Sequence, residues 1–188
     1  MGSFSFKNNQ DYYCLGLWLA DGYWRSSSVG LSSTNNVFLA HFEQFLRRKC
    51  PTHPIKEHVY YPGFGEKRKL VAKHVYINSR PLTRFFMGLK DIETLNISKR
   101  FLPAYFAGRI DGDGHVDLKH RSGVRIAYSS KFDASRDLNL LNLLDEEPAS
   151  LYRYEKANTW VLYLRKKFLE KFKYQIAKYS LKMKLIAP

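Results

Sequence analysis

The sequence predicts an α+β protein in which one α-β-β-α-β-β-α unit occurs twice, the two copies being paired about a pseudo-twofold axis. Two segments show the duplication, YCLGLWLADGYW (Tyr13–Trp24) and YFAGRIDGDGHV (Tyr105–Val116), about half of the 188-residue chain apart. The same order of apolar patterns follows each segment, and 45% of the residues are hydrophobic, which is enough to bury a core. The matched pairs are Gly16 with Gly108, Asp21 with Asp113, and Gly22 with Gly114.

Each copy begins with an apolar motif helix that runs into Asp-Gly and continues into two extended segments around a polar turn. The extended segments lie in YWRSSSVGLSS in the first copy and in HVDLKHRSGVRIAYSS in the second. A helix is expected next in each copy, because apolar residues then recur three and four positions apart. They are Val37, Phe38, Phe42, Phe45 and Leu46 in the first copy, and Leu138, Leu140, Leu141 and Leu144 in the second.

Two further strands and a final helix complete each copy. The strands are IKEHVYY and KLVAKHVYI in the first copy, and SLYRYE and TWVLYLR in the second. The final helices are expected from Pro81 to about Gly88 and from Lys167 to about Tyr179. We therefore divide the chain into a first repeat over residues 1–100 and a second over 101–188, with a linker at about 90–100, in one monomer.

Strand alternation in the second copy separates a core face from an outer face. In HVDLKHR and GVRIAYSS the apolar residues Val116, Leu118, Val124, Ile126 and Tyr128 are expected to face the core. The outer face then carries polar and basic side chains, which suit phosphates and base edges in a major groove; an ordinary solvated face is the alternative. The outer residues are His115, Asp117, Lys119, Arg121, Arg125, Ala127 and Ser129.

The charge balance points to a polyanionic partner. The chain has 31 Lys and Arg against 17 Asp and Glu, a net charge of +14, together with 13 Tyr, 13 Phe and 3 Trp. A charge of this size repels itself unless a polyanion neutralises it, so we favour nucleic acid over a basic surface that only maintains solubility. A membrane partner is disfavoured, since we find no basic amphipathic helix with a clean apolar face outside the C-terminus.

The cysteines and the apolar runs indicate an intracellular, soluble protein. Cys14 and Cys50 are too few for a disulfide framework and are expected to be reduced. A zinc site at Cys50 and His53 matches no familiar ligand spacing and is a minor alternative. The apolar run Tyr12–Ala20 is too short to span a bilayer. Organellar, archaeal and bacterial hosts are all compatible with the sequence.

The two motif helices place acids where the helix macrodipole disfavours them. Small residues four apart give each helix a strip that permits close backbone approach to a partner helix. If the two motif helices pack together, Asp21 and Asp113 converge beside free carbonyls, an arrangement that suits Mg²⁺. A helix C-cap followed by a turn is the alternative for each Asp-Gly. The strips are Gly16 with Ala20 and Gly108 with Gly112.

An EF-hand is excluded as an explanation of DGDGHVD, because Val116 stands where that loop needs glycine. Asp111 is interpreted as local polarity, since Leu19 stands at the matching position of the first copy.

The doubled motif resembles that of the LAGLIDADG homing endonucleases in their single-chain form, with CLGLWLADG (Cys14–Gly22) and FAGRIDGDG (Phe106–Gly114) as the paired signatures. The resemblance implies a saddle of two antiparallel sheets in the DNA major groove, with the motif helices packed at the centre. It implies that Asp21 and Asp113 bind Mg²⁺, with the carbonyls of Ala20 and Gly112 as further ligands. Mn²⁺ would substitute, and Ca²⁺ would bind without cleavage.

The same resemblance implies cleavage of both strands of a DNA target of about 20 base pairs by a monomer that needs no protein partner. A polar or basic residue after the second strand of a repeat points to Lys131, with Ser33-Thr34-Asn35 as the weaker equivalent. A lysine after the last helix points to Lys184 in the second repeat, and to Lys90 or Lys99 in the first, with Lys99 as our chosen candidate. The expected DNA contacts are Trp24, Arg25, Ser27, Ser33, Arg68, Lys73, His115, Asp117, Lys119, Arg121, Arg125, Ser129, Arg153 and Lys156.

Three functions are weighed on these features. The first is a metal-dependent, site-specific double-strand DNA endonuclease. The second is an RNA-splicing maturase or DNA-binding protein on the same scaffold that no longer cuts, and the third is a duplicated architectural nucleic-acid binder. Two mutually repelling carboxylates serve no purpose in simple binding, so their presence in both motifs favours the endonuclease.

Overall fold

Two four-stranded antiparallel sheets and seven α-helices make up the architecture, which a computed structural model describes for residues 4–61, 71–117 and 123–187. The first half comprises α1 (Asn9–Asp21), β1 (Gly22–Arg25), β2 (Ser28–Ser33), α2 (Asn36–Lys49), β3 (Lys56–Tyr60), β4 (Ala72–Asn78) and α3 (Arg80–Asp91). The second comprises α4 (Leu102–Asp113), β5 (Gly114–Asp117), β6 (Gly123–Tyr128), α5 (Lys131–Asn142), β7 (Ala149–Tyr154), β8 (Thr159–Leu164), α6 (Lys166–Ala177) and α7 (Leu181–Lys184).

The predicted element order is therefore confirmed, with one addition at the C-terminus. The expected last helix ends earlier, at Ala177, and a separate short helix α7 follows. Ser180 starts this helix because its hydroxyl accepts a hydrogen bond from the backbone N–H of Met183 at 3.0 Å. Side chains of Asn8, Asn35, Ser79 and Ser130 cap α1, α2, α3 and α5 in the same way.

Both sheets have the same topology. The strand orders are β1-β2-β4-β3 and β5-β6-β8-β7, with every neighbouring pair antiparallel. Directly opposite residues of antiparallel strands share a face, so the register sorts each strand into a helix-facing side and an outer side. The buried pairs Val29–Ile77 and Leu31–Val75 define the helix-facing side of the first sheet, and Val124–Leu164 and Ile126–Leu162 that of the second.

The motif helices α1 and α4 pack against each other with their backbones in contact. A Cβ atom added at Gly16 would lie 2.1 Å from the carbonyl oxygen of Tyr105, and one added at Gly108 would lie 2.1 Å from that of Tyr13. The two contacts are reciprocal, as a pseudo-twofold axis between the helices requires. The predicted small-residue strip is thus the surface that lets the two halves share one core.

The buried carboxylate of Asp11 is paired with two cations of α2. Asp11 at the start of α1 accepts hydrogen bonds from Lys49 at 2.7 Å and Arg48 at 3.2 Å, which secures α2 against α1. Both cysteines are buried thiols, as expected. In the part of the chain that the structure describes, no helix is long and apolar enough to cross a membrane.

Candidate metal centre and nucleic-acid interface

The two Asp-Gly steps connect a motif helix directly to a strand and do not form left-handed caps. Gly22 and Gly114 are both extended, with φ and ψ of −62° and 133° and of −85° and 150°. What requires glycine there is space, because a Cβ would lie 2.2 Å from the Trp18 carbonyl oxygen at Gly22 and 2.4 Å from that of Ile110 at Gly114. Each glycine closes its helix, because its N–H donates to that same carbonyl, but the left-handed cap and turn expected in the alternative are not formed.

Asp21 and Asp113 converge at the paired helix ends, where Ala20 and Gly112 face each other. A Cβ at Gly112 would lie 2.3 Å from the Cβ of Ala20 and 3.6 Å from Oδ2 of Asp21. Burial, together with the charge of Asp113, raises the pKa of Asp21 to about 6, although the residue as a whole is exposed to solvent. Burial also raises the pKa of Asp113, opposed by the charges of Arg109 and Lys182.

Lys182 places its ammonium at this pair of acids, and the sequence reasoning missed it. Its Nζ donates to the carbonyl oxygens of Gly112 at 3.1 Å and Gly114 at 2.8 Å. Burial lowers the pKa of Lys182, against the opposing effects of the charges of Asp111, Asp21 and Asp113. The segment LKMK contains both Lys182 and Lys184, and only the orientation of α7 shows which of them faces the acids.

Asp111 fixes that orientation, so it does much more than supply local polarity. It is fully buried and accepts hydrogen bonds from the hydroxyl of Ser180 at 2.6 Å and from the backbone N–H groups of Leu181 at 2.9 Å and Lys182 at 3.0 Å. The Tyr13 hydroxyl of the other motif helix donates to it at 2.9 Å. Asp111 thereby ties the start of α7 to both motif helices and is not directed to a metal.

The predicted catalytic lysines are spread around the molecule. Lys184 is exposed, and its charge acts on His41 of α2. Lys99 lies in a 3-10 turn at the N-terminal end of α4, so that a helix rise of about 1.5 Å per residue puts it roughly 20 Å from Asp113. Lys131, at the start of α5, is exposed with its Nζ 5.4 Å from the centre of the Trp160 ring.

Lys90, the alternative to Lys99 in the first repeat, lies closer to the acids. It comes from the last turn of α3 and is half-buried, with its Nζ 3.7 Å from the centre of the Trp24 ring. Burial lowers the pKa of Lys90, and Asp113 is among the charges that oppose this effect. The structure therefore favours Lys90 and Lys182 over Lys99 and Lys184 as the cations beside the acids.

Oxygen donors dominate this centre, and they fit a hard divalent cation. Within the described residues, no cluster of three or more His, Cys, Asp and Glu side chains is placed to hold a metal. Asp21 and Asp113, with main-chain carbonyls, would therefore supply only part of a coordination shell, which agrees with the preference of Mg²⁺ for a few carboxylates plus water and phosphate oxygens. The Gly112 carbonyl already accepts from Lys182, and its second lone pair is what a metal would use.

The outer face of the second sheet matches the predicted alternation. His115 is opposite Arg125 and both are exposed, whereas Val116, Val124, Ile126 and Tyr128 are buried on the other side. Asp117 is opposite Gly123 on the outer face, and Ser129 is exposed just beyond β6. Three tyrosines that were not predicted add to this face, Tyr152, Tyr154 and Tyr163, each 40–50% exposed.

The outer face of the first sheet carries a stack of aromatic rings. The ring of His74 lies between Tyr23 and Tyr60, with ring centres 4.4 Å and 4.2 Å apart, and its Nδ1 bonds to the hydroxyl of Ser32. His58 continues the stack at 6.0 Å from His74. These residues are scattered over four strands, so no local sequence pattern connects them.

Four predicted DNA contacts lie on the helix-facing side instead. The register pairs Trp24 with the buried Val29, and Ser33 with Lys73 two positions beyond the buried pair Leu31–Val75. In the second sheet Arg153 is opposite Trp160, on the side of the buried Tyr128. The face of these residues follows from the register with a neighbouring strand, which the sequence pattern of one strand does not show, and as DNA contacts the four residues stay predictions.

The other predicted contacts are at turns or outside the described residues. Arg25 is exposed at the end of β1, Ser27 lies in the β1–β2 turn, and Lys156 is exposed in the β7–β8 turn. Arg68, Lys119 and Arg121 lie outside the residues that the structure describes.

A buried arginine connects Asp113 to the core of the second half. Arg109 of α4 donates through Nε to Asp137 of α5 at 2.8 Å, and its Nη1 lies 3.8 Å from Oδ2 of Asp113. Burial lowers the pKa of this guanidinium, but the charge of Asp137 and its other neighbours outweigh burial and raise it, so Arg109 stays charged. In the sequence, the feature that could have predicted this contact is an arginine inside an apolar motif helix.

Solved structures of similar architecture are DNA-bound homing endonucleases and a related domain. A structure of I-DmoI in complex with DNA and Mn is 20% identical, with a TM-score of 0.67 over 89% of this chain and 96% of that one. The homing endonuclease I-WcaI, bound to its DNA recognition sequence, is 14% identical with a TM-score of 0.66, over 95% of this chain and 85% of that one.

The N-terminal LAGLIDADG domain of WhiA is 15% identical to this chain with a TM-score of 0.62, over 91% of this chain and 83% of that one. No protein-family model and no curated protein matches the sequence. The resemblance drawn from the paired motifs is thus confirmed at the level of architecture. This chain has the duplicated LAGLIDADG fold, in the single-chain form that I-DmoI and I-WcaI share.

Proposed function

We propose that this protein is a divalent-metal-dependent endonuclease that cuts both strands of a double-stranded DNA site. The observation that carries the proposal is the convergence of Asp21 and Asp113 at the ends of two helices in backbone contact. The charge of Asp113 disfavours the ionised form of Asp21, a cost that binding alone does not explain and that a bound cation removes.

The similar structures support the choice of substrate and cofactor. I-DmoI and I-WcaI were solved with DNA; I-DmoI was solved with Mn and with Ca, and a single-residue variant of it in the presence of Mg. The outer sheet faces of the present chain carry Arg25, Arg125, His115 and exposed tyrosines, which suit phosphates and base edges. The excess of 31 basic over 17 acidic residues adds a salt-dependent attraction to DNA.

In the proposed mechanism, Asp21, Asp113 and the neighbouring carbonyls of Ala20 and Gly112 would hold Mg²⁺. When bound there, the metal would polarise the scissile phosphate and lower the pKa of an attacking water. Lys182 holds the Gly112 and Gly114 carbonyls in place and brings a positive charge beside the acids. Lys90, in the last turn of α3, is half-buried against two tryptophans and would oppose the negative charge that develops on the phosphate.

A non-cleaving DNA- or RNA-binding role is the second candidate. The ammonium of Lys182 already bonds to the Gly112 carbonyl, one of the expected metal ligands, and is itself a cation beside both acids. A protein that used this internal cation in place of a metal would keep the fold and the basic outer faces without cutting.

A cleavage assay decides between the two candidates. A target would first be selected from a randomised DNA library by binding, and then incubated with Mg²⁺, Mn²⁺ or Ca²⁺. We expect double-strand cleavage with Mg²⁺ and Mn²⁺, binding without cleavage with Ca²⁺, and a rate loss of about 1,000-fold or more in Asp21→Asn and Asp113→Asn. Asp145→Asn, a surface acid paired with Lys171, is the matched control and should cut normally. Tight binding without cleavage under all three metals would favour the second candidate.

The DNA-binding face is tested by two arginines of the second sheet. Arg125→Ala should weaken binding by about 10-fold or more, since a specific base contact is worth about 1–3 kcal/mol. Arg153→Ala, on the helix-facing side, should change affinity much less and serves as the control. Both are measured by fluorescence anisotropy over a range of salt concentrations. Equal losses would show that the outer face is not the DNA-contacting one.

A further inference from the structure

The second motif helix carries a charged side chain where the first has an apolar one. Arg109 occupies the position in α4 that Leu17 occupies in α1, and both are fully buried. An arginine inside a helix–helix core is costly unless its charge is paired and its donors are satisfied. The residues around Arg109 therefore indicate its role.

Three groups of the second half fix the guanidinium in place. Asp137 of α5 accepts from Nε of Arg109 at 2.8 Å, and also from the hydroxyls of Tyr105 at 2.6 Å and Tyr128 at 2.8 Å. The guanidinium carbon lies 4.7 Å from the centre of the Tyr128 ring. The carboxylate of Asp137 thus accepts three hydrogen bonds from α4 and β6, and its bond to Nε gives the far end of Arg109 a fixed direction.

That far end points at Asp113 without completing a bond. Nη1 is buried, has no hydrogen-bond partner among the described residues, and lies 3.8 Å from Oδ2 of Asp113. A buried donor left unpaired costs about 1–3 kcal/mol, so its retention calls for an explanation. Asp113, one turn along the same helix and about one-third exposed, is the acid that this donor reaches from the protein side.

We propose that Arg109 is a positioning residue that orients the Asp113 carboxylate from the side facing the protein core. We also propose that the first motif helix has no such residue for Asp21. The inference rests on the proposed function, because it assigns Asp113 a ligand role. Groups that hydrogen-bond a ligating carboxylate from behind typically contribute 10–100-fold in metal affinity or activity. Leu17 has no donor, so Asp21 has no such group on its own helix, although the charge of Arg109 also opposes the rise in the pKa of Asp21. The two strands of a target should therefore depend on Arg109 unequally.

The test uses Arg109→Lys and the double variant Arg109→Gln with Asp137→Asn. The lysine keeps a cation for Asp137 but lacks the second nitrogen branch that points to Asp113. The double variant removes both buried charges together, so that no unpaired carboxylate is left in the core. Leu141→Ala, a fully buried residue of α5, is a control for destabilisation that does not reach Asp113.

Two quantities are measured below the melting temperature of each variant: the separate cleavage rates of the two strands, labelled with different fluorophores, and the affinity for Ca²⁺ of the DNA complex by calorimetry. We expect both Arg109 variants to change the ratio of the strand rates by about 10-fold or more and to weaken Ca²⁺ binding by about 10–100-fold. Leu141→Ala should leave both quantities unchanged.

The proposal is overturned if the Arg109 variants slow both strands equally, or leave Ca²⁺ binding at the wild-type value, while lowering the melting temperature as Leu141→Ala does. A wild-type protein that cuts neither strand would instead contradict the proposed nuclease. In that case the role of Arg109 is tested by Ca²⁺ affinity alone, with the affinity of the Asp113→Asn variant as the comparison.

Discussion

The two halves of the molecule have the same backbone plan and different polar chemistry. Gly16 and Gly108 make the same 2.1 Å approach to a carbonyl of the opposite helix, and Gly22 and Gly114 are both confined by the carbonyl four residues earlier. By contrast, Leu17 and Leu19 of α1 correspond to the buried Arg109 and Asp111 of α4.

This difference shows which structural constraint the two halves share. Backbone contact across the pseudo-twofold axis requires glycine on both helices, because each helix is the wall that confines the other. The side chains of Arg109 and Asp111 face no such reciprocal requirement, although Asp111 also accepts a hydrogen bond from Tyr13 of α1. Arg109 and Asp111 use that freedom to anchor Asp113 and the α7 helix, so the candidate metal centre is built more elaborately on one side.

The outer sheet faces differ in the same way. The first sheet has a stack of Tyr23, His74 and Tyr60, whereas the second has Arg125 and His115 among exposed tyrosines. Two faces of different chemistry on one chain suit a target whose half-sites differ in sequence, in contrast to the palindrome that a symmetric dimer would read.

The largest effect is expected from glycine substitution at the helix–helix contact. Gly16→Ala and Gly108→Ala should each destabilise the protein by about 3 kcal/mol or more, because the new methyl group meets backbone that cannot rotate away. Urea denaturation measures the change. Gly88→Ala in α3 is the control, since nothing lies within 4 Å of its Cβ position, and it should be neutral or stabilise by up to about 1 kcal/mol. A small effect at only one of the two motif glycines would show that the helix–helix contact is not equivalent in the two halves.

An intermediate effect is expected at the anchor of α7. Asp111→Asn should cost about 1–3 kcal/mol, because the amide can accept from fewer of the donors that converge on the carboxylate. Hydrogen exchange should speed up at the amides of Leu181 and Lys182 before the rest of the molecule responds. Asp145→Asn is again the surface control. Unchanged protection at these two amides would mean that α7 is held by its apolar contacts alone.

The smallest effect concerns the pH dependence of Asp21. Its pKa is raised from the usual 3.8 to about 6 on folding, so the native state holds the proton more tightly and stability falls as pH rises through that window. Asp21→Asn should therefore be more stable than the wild type at pH 7, by at most about 1 kcal/mol given the solvent exposure of the residue, and equal to it near pH 4. Urea denaturation at both pH values tests this.

Asp145→Asn should show the opposite sign, because its hydrogen bond and ion pair with Lys171 lower the pKa of Asp145. If Asp21→Asn were less stable than the wild type at pH 7, the two motif acids would not be in mutual repulsion.

Sequence patterns were sufficient for the duplication, the element order and the buried strand residues. These features depend on local periodicity and on spacing, so that Val124, Ile126 and Tyr128 alternate toward the core wherever the strand lies. The close helix contact was also readable, because Gly16 and Gly108 stand four residues from the small residues Ala20 and Gly112.

The lysines beside the two acids could not be predicted from such local patterns. Lys184 and Lys99 were chosen because a lysine is expected after the last helix of each repeat, whereas Lys182 and Lys90 are the ones brought toward the acids. A lysine in a four-residue helix can point to any side, and the side is set by Asp111 about 70 residues earlier. The face on which Trp24, Ser33 and Lys73 lie was not predictable for a similar reason, since it depends on the register with a neighbouring strand.

By itself, therefore, the sequence determined the repeat, the helices and strands, the glycines of the interface and the two acids at the helix ends. Only the tertiary structure decided which lysines stand beside those acids, which strand residues face outward, and that Arg109 reaches Asp113. The physical reason is that periodicity and backbone conformation act over a few residues. Ion pairs, strand register and the direction of a buried side chain instead depend on partners that the fold brings from distant parts of the chain.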